Sequence, residues 1–424
     1  MKKILSKPFE SIAFLGLFFF LFLSTIDGIL TTSESLDYIL LIRHVSWAGL
    51  FSCVFVLILF ARRSFDDVWE CSAPLLVLLV WAGAATYIYS RHFYEPSDFV
   101  YVLIASIQGV MGACLLGMSR TSMLSDVLRR FFNVYGVLAF LLILISDGLS
   151  FEYPAKFNFA ELSDMFGGQV LYSQGMSRLF GIVAIFFALG LASSAKGYQY
   201  LIYGFLLLGS LVLCLLGGAR GESFFAIFLV ICICFWRYRT RFLIFSMATA
   251  LGLHLAVTDW NWLNDFVVFQ RYSVLGGEAD AASGRGGEAD AASGRGGEYG
   301  YRDVLLRQSW GLLVDNPDCL IWGCGLGYFQ KYYNYSFGMY PHNEVVELVI
   351  THGMFLTLFV VMCVSIGFWS FVKDEPRPAP LALLYIYSLL LALKGGTVFS
   401  SGLFIALSLY FFVRTWRLMV HWWR

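Results

Sequence analysis

The chain has 424 residues, 59% of them hydrophobic and only 14% charged, with 29 basic and 29 acidic side chains. Soluble domains carry about 25% charged residues, so a mean hydropathy of +0.72 excludes an ordinary water-soluble enzyme. The composition predicts an all-α polytopic membrane protein; the lipid bilayer is the expected partner, and nucleic acid is not.

Apolar runs of spanning length, about 17–25 residues, predict twelve transmembrane helices. In chain order they are 11–30, 38–60, 72–90, 99–118, 131–148, 176–195, 198–217, 222–236, 241–258, 344–372, 380–394 and 397–413, the eighth and eleventh being short. Lys2, Lys3 and Lys7 precede the first run as they would in a signal peptide, but no small-residue cleavage site follows, so a retained helix is expected. With the N-terminus inside, 17 basic residues fall on cytoplasmic segments: Lys2, Lys3, Lys7, Arg62, Arg63, Arg120, Arg129, Arg130, Lys196, Arg237, Arg239, Arg241, Lys373, Arg377, Arg414, Arg417 and Arg424. Five lie near the short outer loops (Arg91, Lys156, Arg178, Arg220 and Lys394). The positive-inside bias therefore predicts cytoplasmic termini and one large outer loop between helices 9 and 10. In a bacterium that loop is periplasmic, on the outer face of the inner membrane. The expected organisation is helices 1–9 over 1–258, a periplasmic catalytic loop over 259–341, and helices 10–12 over 342–424.

A polar loop this long cannot lie in lipid, where its backbone groups would have no partners. Within it, GGEADAASGR at 276–285 is repeated without change at 286–295. Its Gly, Ala and Ser content predicts a flexible linker; an arm touching glycan through Arg285 and Arg295 is the alternative. From Tyr301 to Leu313, the spacing of Leu305, Leu306, Trp310 and Leu313 predicts an amphipathic helix on the membrane surface or against the bundle. Seven of the nine cysteines lie in or beside apolar runs. Cys319 and Cys324 stand in the outer loop, where oxidation is permitted; two separately buried thiols are expected, with a short-loop disulfide the alternative.

Small pieces then line up along the chain. Gly217-Gly218-Ala219-Arg220-Gly221-Glu222 stands at the outer end of span seven, followed by Arg271-Tyr272-Ser273 and by Arg302, eight residues before Trp310. Next come Pro317, Gly323-Cys324-Gly325-Leu326-Gly327, and Pro341-His342-Asn343 leading into span ten. In order and topology these resemble the O-antigen ligase and O-antigen polymerase superfamily, over about residues 174–355 by motif and elsewhere by topology alone. In those proteins a small-Arg-Gly step precedes a helix, and a large outer loop carries an Arg, a glycine-rich turn and a terminal His-Asn. Arg178-Leu179-Phe180-Gly181 is similar to an Arg-x-x-Gly helix entry of the family, without the Asn-Pro-Asn that often follows.

The resemblance implies transfer of a glycan from an undecaprenyl-diphosphate donor to a hydroxyl of an acceptor. The leaving diphosphate needs cations, and the planar guanidinium fork suits phosphate oxygens. Arg220 and Arg302 are the expected clamp, with Arg271 third and Arg178 a further binding candidate. Arg220 read alone is equally a helix-end arginine snorkelling to headgroups, although it runs against the charge bias. The acceptor must lose a proton, and His342, with an ordinary pKa near 6.5, is the expected general base or acceptor-orienting group. Asn343 and Glu344 are expected to bind substrate, and Glu344 or Glu347 to orient the imidazole. The plain alternative has His342 and Asn343 capping span ten, and His352 is expected to be structural.

No cofactor or metal is expected. His342, Glu344, Glu347 and His352 do not match the H-E-x-x-H pattern. The early outer loop offers only Glu34 and Asp37, and Asp66-Asp67 lies inside, so there is no outer Asp-x-Asp pair. The Gly323–Gly327 turn lacks the strand–helix context of a nucleotide loop and is expected to make a tight backbone turn over the site. A secondary transporter using Asp27 and Arg43-His44 as coupling charges is the distant alternative, but no two-half repeat is visible and the large loop is external and off-centre. Within the superfamily, one main loop between spans nine and ten fits a ligase acting on lipid A core. A repeat-unit or exopolysaccharide polymerase is the nearer alternative, but its second sizeable loop is matched here only by about 25 residues from Leu149 to Ser173.

Overall fold

The computed structural model describes residues 6–29, 45–54, 96–118, 121–145, 173–193, 197–216, 220–238, 298–335, 341, 343–375, 379–395 and 402–423. Among them there is no strand. The helices are α1 (Ser6–Ile29), α2 (Pro96–Met118), α3 (Thr121–Ile145), α4 (Ser173–Ser193), α5 (Gly197–Leu216), α6 (Arg220–Tyr238), α7 (Glu298–Asp315), α8 (Pro317–Trp322), α9 (Tyr328–Tyr333), α10 (Glu344–His352), α11 (Met354–Asp374), α12 (Pro380–Gly395) and α13 (Gly402–Trp423). A further helical run covers 45–54. Among the described residues, four stretches, Gly197–Leu215, Gly221–Tyr238, Met354–Asp374 and Gly402–Val420, are long and apolar enough to cross a membrane. Spans 72–90 and 241–258 of the sequence analysis lie outside the described residues.

The chain divides into two compact units. One holds residues 25–45 and 125–285, and α4 is its central helix. Every residue from Gly181 to Gly190 is buried, as expected of a helix that is apolar on all sides and enclosed by neighbours. Phe186 stacks on Phe132 of α3 at 4.4 Å between ring centroids, and Phe180 meets Phe140 edge-on at 5.7 Å. Helices α5 and α6 pack against α4. Leu201, Phe205 and Leu208 on α5 are 77%, 75% and 64% exposed, an apolar face suited to lipid rather than water.

The other unit holds residues 1–24, 46–124 and 286–424. Here α13 packs against α2 and α11. Gly367 of α11 lies so close to the α13 backbone that an added Cβ would strike the Phe411 carbonyl. Thr415 on α13 donates a hydrogen bond to the Cys363 carbonyl of α11, and Arg414 pairs with Asp374.

Three elements differ from the sequence expectation. The run 344–372 is not one helix: it breaks at Gly353, where φ 82° and ψ 161° place the backbone in a region open essentially only to glycine. The last helix continues to Trp423, ten residues past the expected end at 413. Helix α3 begins at Thr121, ten residues before the apolar run, because its first turns are polar.

Candidate functional site

In the unit that contains 286–424, helices α7 to α10 build a module with its own apolar core. Leu305, Leu312 and Leu313 of α7 meet Cys319, Cys324, Phe329, Val346 and Ile350 there, each no more than 6% exposed. Ser309 is buried on the same stripe and donates its hydroxyl to the Leu305 carbonyl at 2.7 Å, which satisfies a polar group inside an apolar contact. The expected helix is thus present but is not amphipathic: Val304 and Val314 are exposed apolar residues, and so is Trp310, at 54%. It lies five positions from Leu305, about 140° around the helix, whereas Leu312 lies nearly in line.

Asn316 ends α7 by returning its amide Nδ2 to the Leu312 carbonyl at 3.0 Å. Pro317 then opens α8 at a position where a missing N–H costs nothing. The glycine-rich turn follows, and Gly323, Gly325 and Gly327 all have positive φ, at 82°, 87° and 63°. The tight backbone turn expected from the sequence is present. It clasps the end of α10: the amide of Cys324 donates to the Ile350 carbonyl at 2.6 Å, and that of Gly325 to the Thr351 carbonyl at 3.2 Å. Two of the carbonyls that a helix C-terminus leaves open are thereby satisfied. A Cβ on Gly323 would sit 2.5 Å from the Thr351 carbonyl oxygen and 2.6 Å from the Gly353 nitrogen, so the two glycine backbones cross with no room for a side chain.

Cys319 and Cys324 form a disulfide, with Cα atoms 4.8 Å apart. The expectation of two separate thiols is corrected; the turn folds Cys324 back over the last turn of α8. Beyond it, α9 presents an aromatic cluster. Tyr333 donates to the Gln308 carbonyl at 2.9 Å and Tyr335 to its Oε1 at 3.0 Å, tying α9 to α7. Burial, with a smaller contribution from Tyr332, pushes the Tyr333 hydroxyl above its ordinary value, so it remains a donor near neutrality.

Asn343 is the N-cap of α10, its Oδ1 accepting from the amides of Val345 at 3.1 Å and Val346 at 3.2 Å. Its Nδ2 reaches the Leu393 carbonyl of α12 at 3.5 Å. Pro341 is buried just before it. Glu344, 3% exposed, and Glu347 lie in the first turn, where the helix dipole favours negative charge. His352 closes α10, with Nδ1 buried. Arg302 lies in the second turn of α7, three residues before the buried Leu305. The module's elements carry Arg302, the glycine turn, Asn343 and Glu344, and α10 leads directly into α11, a helix of membrane-spanning length.

The other unit carries Arg178 and Arg220 at one end of its bundle. Ser177 of α4 and Ser223 of α6 both donate to the Cys214 carbonyl of α5, each at 2.9 Å, which draws the start of α4, the end of α5 and the start of α6 together. Arg178 is half-buried with Nε unpartnered, and Arg220 is the first residue of α6. Buried Glu222 follows in the same turn. His342, Arg271 and the repeat at 276–295 lie outside the described residues. Among the described residues, no group of three or more His, Cys, Asp or Glu side chains is gathered as a metal site would require.

No protein-family model matches the chain, and no curated protein matches its sequence. Sequence reasoning missed Gln308 and Ser309, which brace the module, and Gly353, whose signal was the polar pair Thr351-His352 followed by glycine inside an apolar run.

Proposed function

We propose that the chain is a membrane glycosyltransferase of the O-antigen ligase type. In this reading a glycan passes from an undecaprenyl-diphosphate carrier to a sugar hydroxyl of lipid A core on the periplasmic face of the inner membrane. The observation that carries the proposal is the coincidence of motif and fold in the α7–α10 module. The segments that carry the pieces whose order resembles the superfamily (α7 with Arg302, α8 with Pro317, the glycine turn and α10 behind Asn343-Glu344) contribute Leu305, Cys319, Cys324 and Val346 to one core, with the turn clasped to the helix that Asn343 caps.

The chemistry follows from residue type. Arg302 holds the diphosphate as it departs, its planar guanidinium matching the phosphate oxygens. His342 accepts the proton of the acceptor hydroxyl, a role that contributes about 10²–10⁴-fold. The hydroxyl attacks the anomeric carbon opposite the diphosphate, and a single displacement inverts that carbon. Asn343 and Glu344 fix the loop end from which His342 acts, and Asn343 also binds substrate.

The test is turnover in washed membranes with excess chelator present, comparing wild type, Arg302→Ala and His342→Ala. The metal-independent reading expects full wild-type turnover and severe loss in both variants. Abolition by chelator, restored by added divalent metal, would contradict it.

A further inference from the structure

Cys319 and Cys324 are the centre of the α7–α10 core, at 1% and 2% exposure. The bond between them closes a small ring around Gly323, and the amide of Cys324 itself donates to the Ile350 carbonyl. Gly325, one residue on, supplies the second bond of the clasp. Turn segments rich in glycine lose the most conformational freedom on ordering, and a cross-link removes part of that cost by restricting the open chain.

We infer that this disulfide is a required modification of the module, introduced on the outer face of the membrane by a thiol-oxidising protein, and that it holds α10 in register. The two cysteines lose two protons and two electrons. One thiolate attacks the oxidant's disulfide to give a mixed disulfide, and the second thiolate displaces the oxidant, which leaves as a dithiol. Because both sulfurs are enclosed in the finished core, the exchange precedes closure of the module. The bond persists only where the compartment is oxidising, so it reports on sidedness independently of any charge count. This inference does not depend on the glycan-transfer reading.

The first test uses membranes containing the full chain, denatured in iodoacetamide without reductant and digested with trypsin. Cleavage after Arg307 and Lys331 releases residues 308–331, whose only cysteines are Cys319 and Cys324. The expected peptide is uncapped and takes two caps only after reduction. Capping of both thiols before reduction would overturn the inference. The second test is hydrogen exchange of the purified chain in nanodiscs, oxidised against phosphine-reduced and capped, with the Cys319→Ser/Cys324→Ser variant alongside. Exchange over 344–352 is expected to quicken by about tenfold or more on loss of the bond. Equal exchange in oxidised and reduced wild type would overturn the positioning role whether or not the variant accumulates.

Discussion

Gly323 and Gly353 are the residues on which the module turns. Each has φ of 82° with an extended ψ, a conformation that costs other residues about 1–3 kcal/mol. A Cβ at either would also strike the backbone of the other segment. Gly323→Ala and Gly353→Ala are therefore expected to destabilise the module by more than ~3 kcal/mol, read as increased protease cleavage between α7 and α10. Wild-type resistance in either variant would contradict the crossing. Asn343 separates two roles. Asn343→Ala loses the cap and about 1 kcal/mol, whereas Asn343→Asp keeps the accepting oxygen and is expected to keep wild-type thermal stability. If the amide also binds substrate, the Asp variant loses turnover without losing stability.

At the scale of elements, α7 shows what periodicity can and cannot decide. The inward stripe of Leu305, Ser309, Leu312 and Leu313 makes Leu312→Ala cost about 2–5 kcal/mol, while Trp310→Ala on the exposed face is expected to leave stability within about 0.5 kcal/mol. Thermal scans in detergent distinguish the two, and a reversed order would restore the sequence assignment of Trp310. The helix itself was legible from its leucines. Its facing residue was not, because a large apolar side chain beside a stripe reads as part of it. Likewise, in the apolar run 344–372 the only marks of the break are Thr351-His352 and Gly353, too short an interruption to read as a helix end, and the break between α10 and α11 comes from the backbone crossing. The disulfide went against the sequence expectation of two separate thiols, because a short spacing between cysteines suits both a closed ring and two buried side chains. Deleting one GGEADAASGR copy is expected to leave turnover nearly unchanged in a membrane assay; a severe loss would show that the repeat takes part.

At the scale of the whole molecule, composition alone made the membrane class legible, since lipid demands helices of fixed length and apolarity. Four helices of the described structure meet that demand. The order of Arg302, the glycine turn and Asn343 was also legible, because glycine and asparagine have narrow backbone roles at turns and caps. The Gln308 anchor of α9 was not, since a glutamine in a helix expected to be amphipathic reads as solvent-facing. The proposed transfer of a lipid-linked glycan to lipid A core is checked by a lipopolysaccharide gel from the source bacterium. That gel compares the gene deletion with complementation by wild type, Arg302→Ala and His342→Ala. The account expects the deletion and both variants to leave bare core while full-length glycan accumulates on its carrier lipid, with wild type restoring the ladder. Core bearing a single repeat unit would identify a polymerase instead, and unaltered lipopolysaccharide in the deletion would contradict the account.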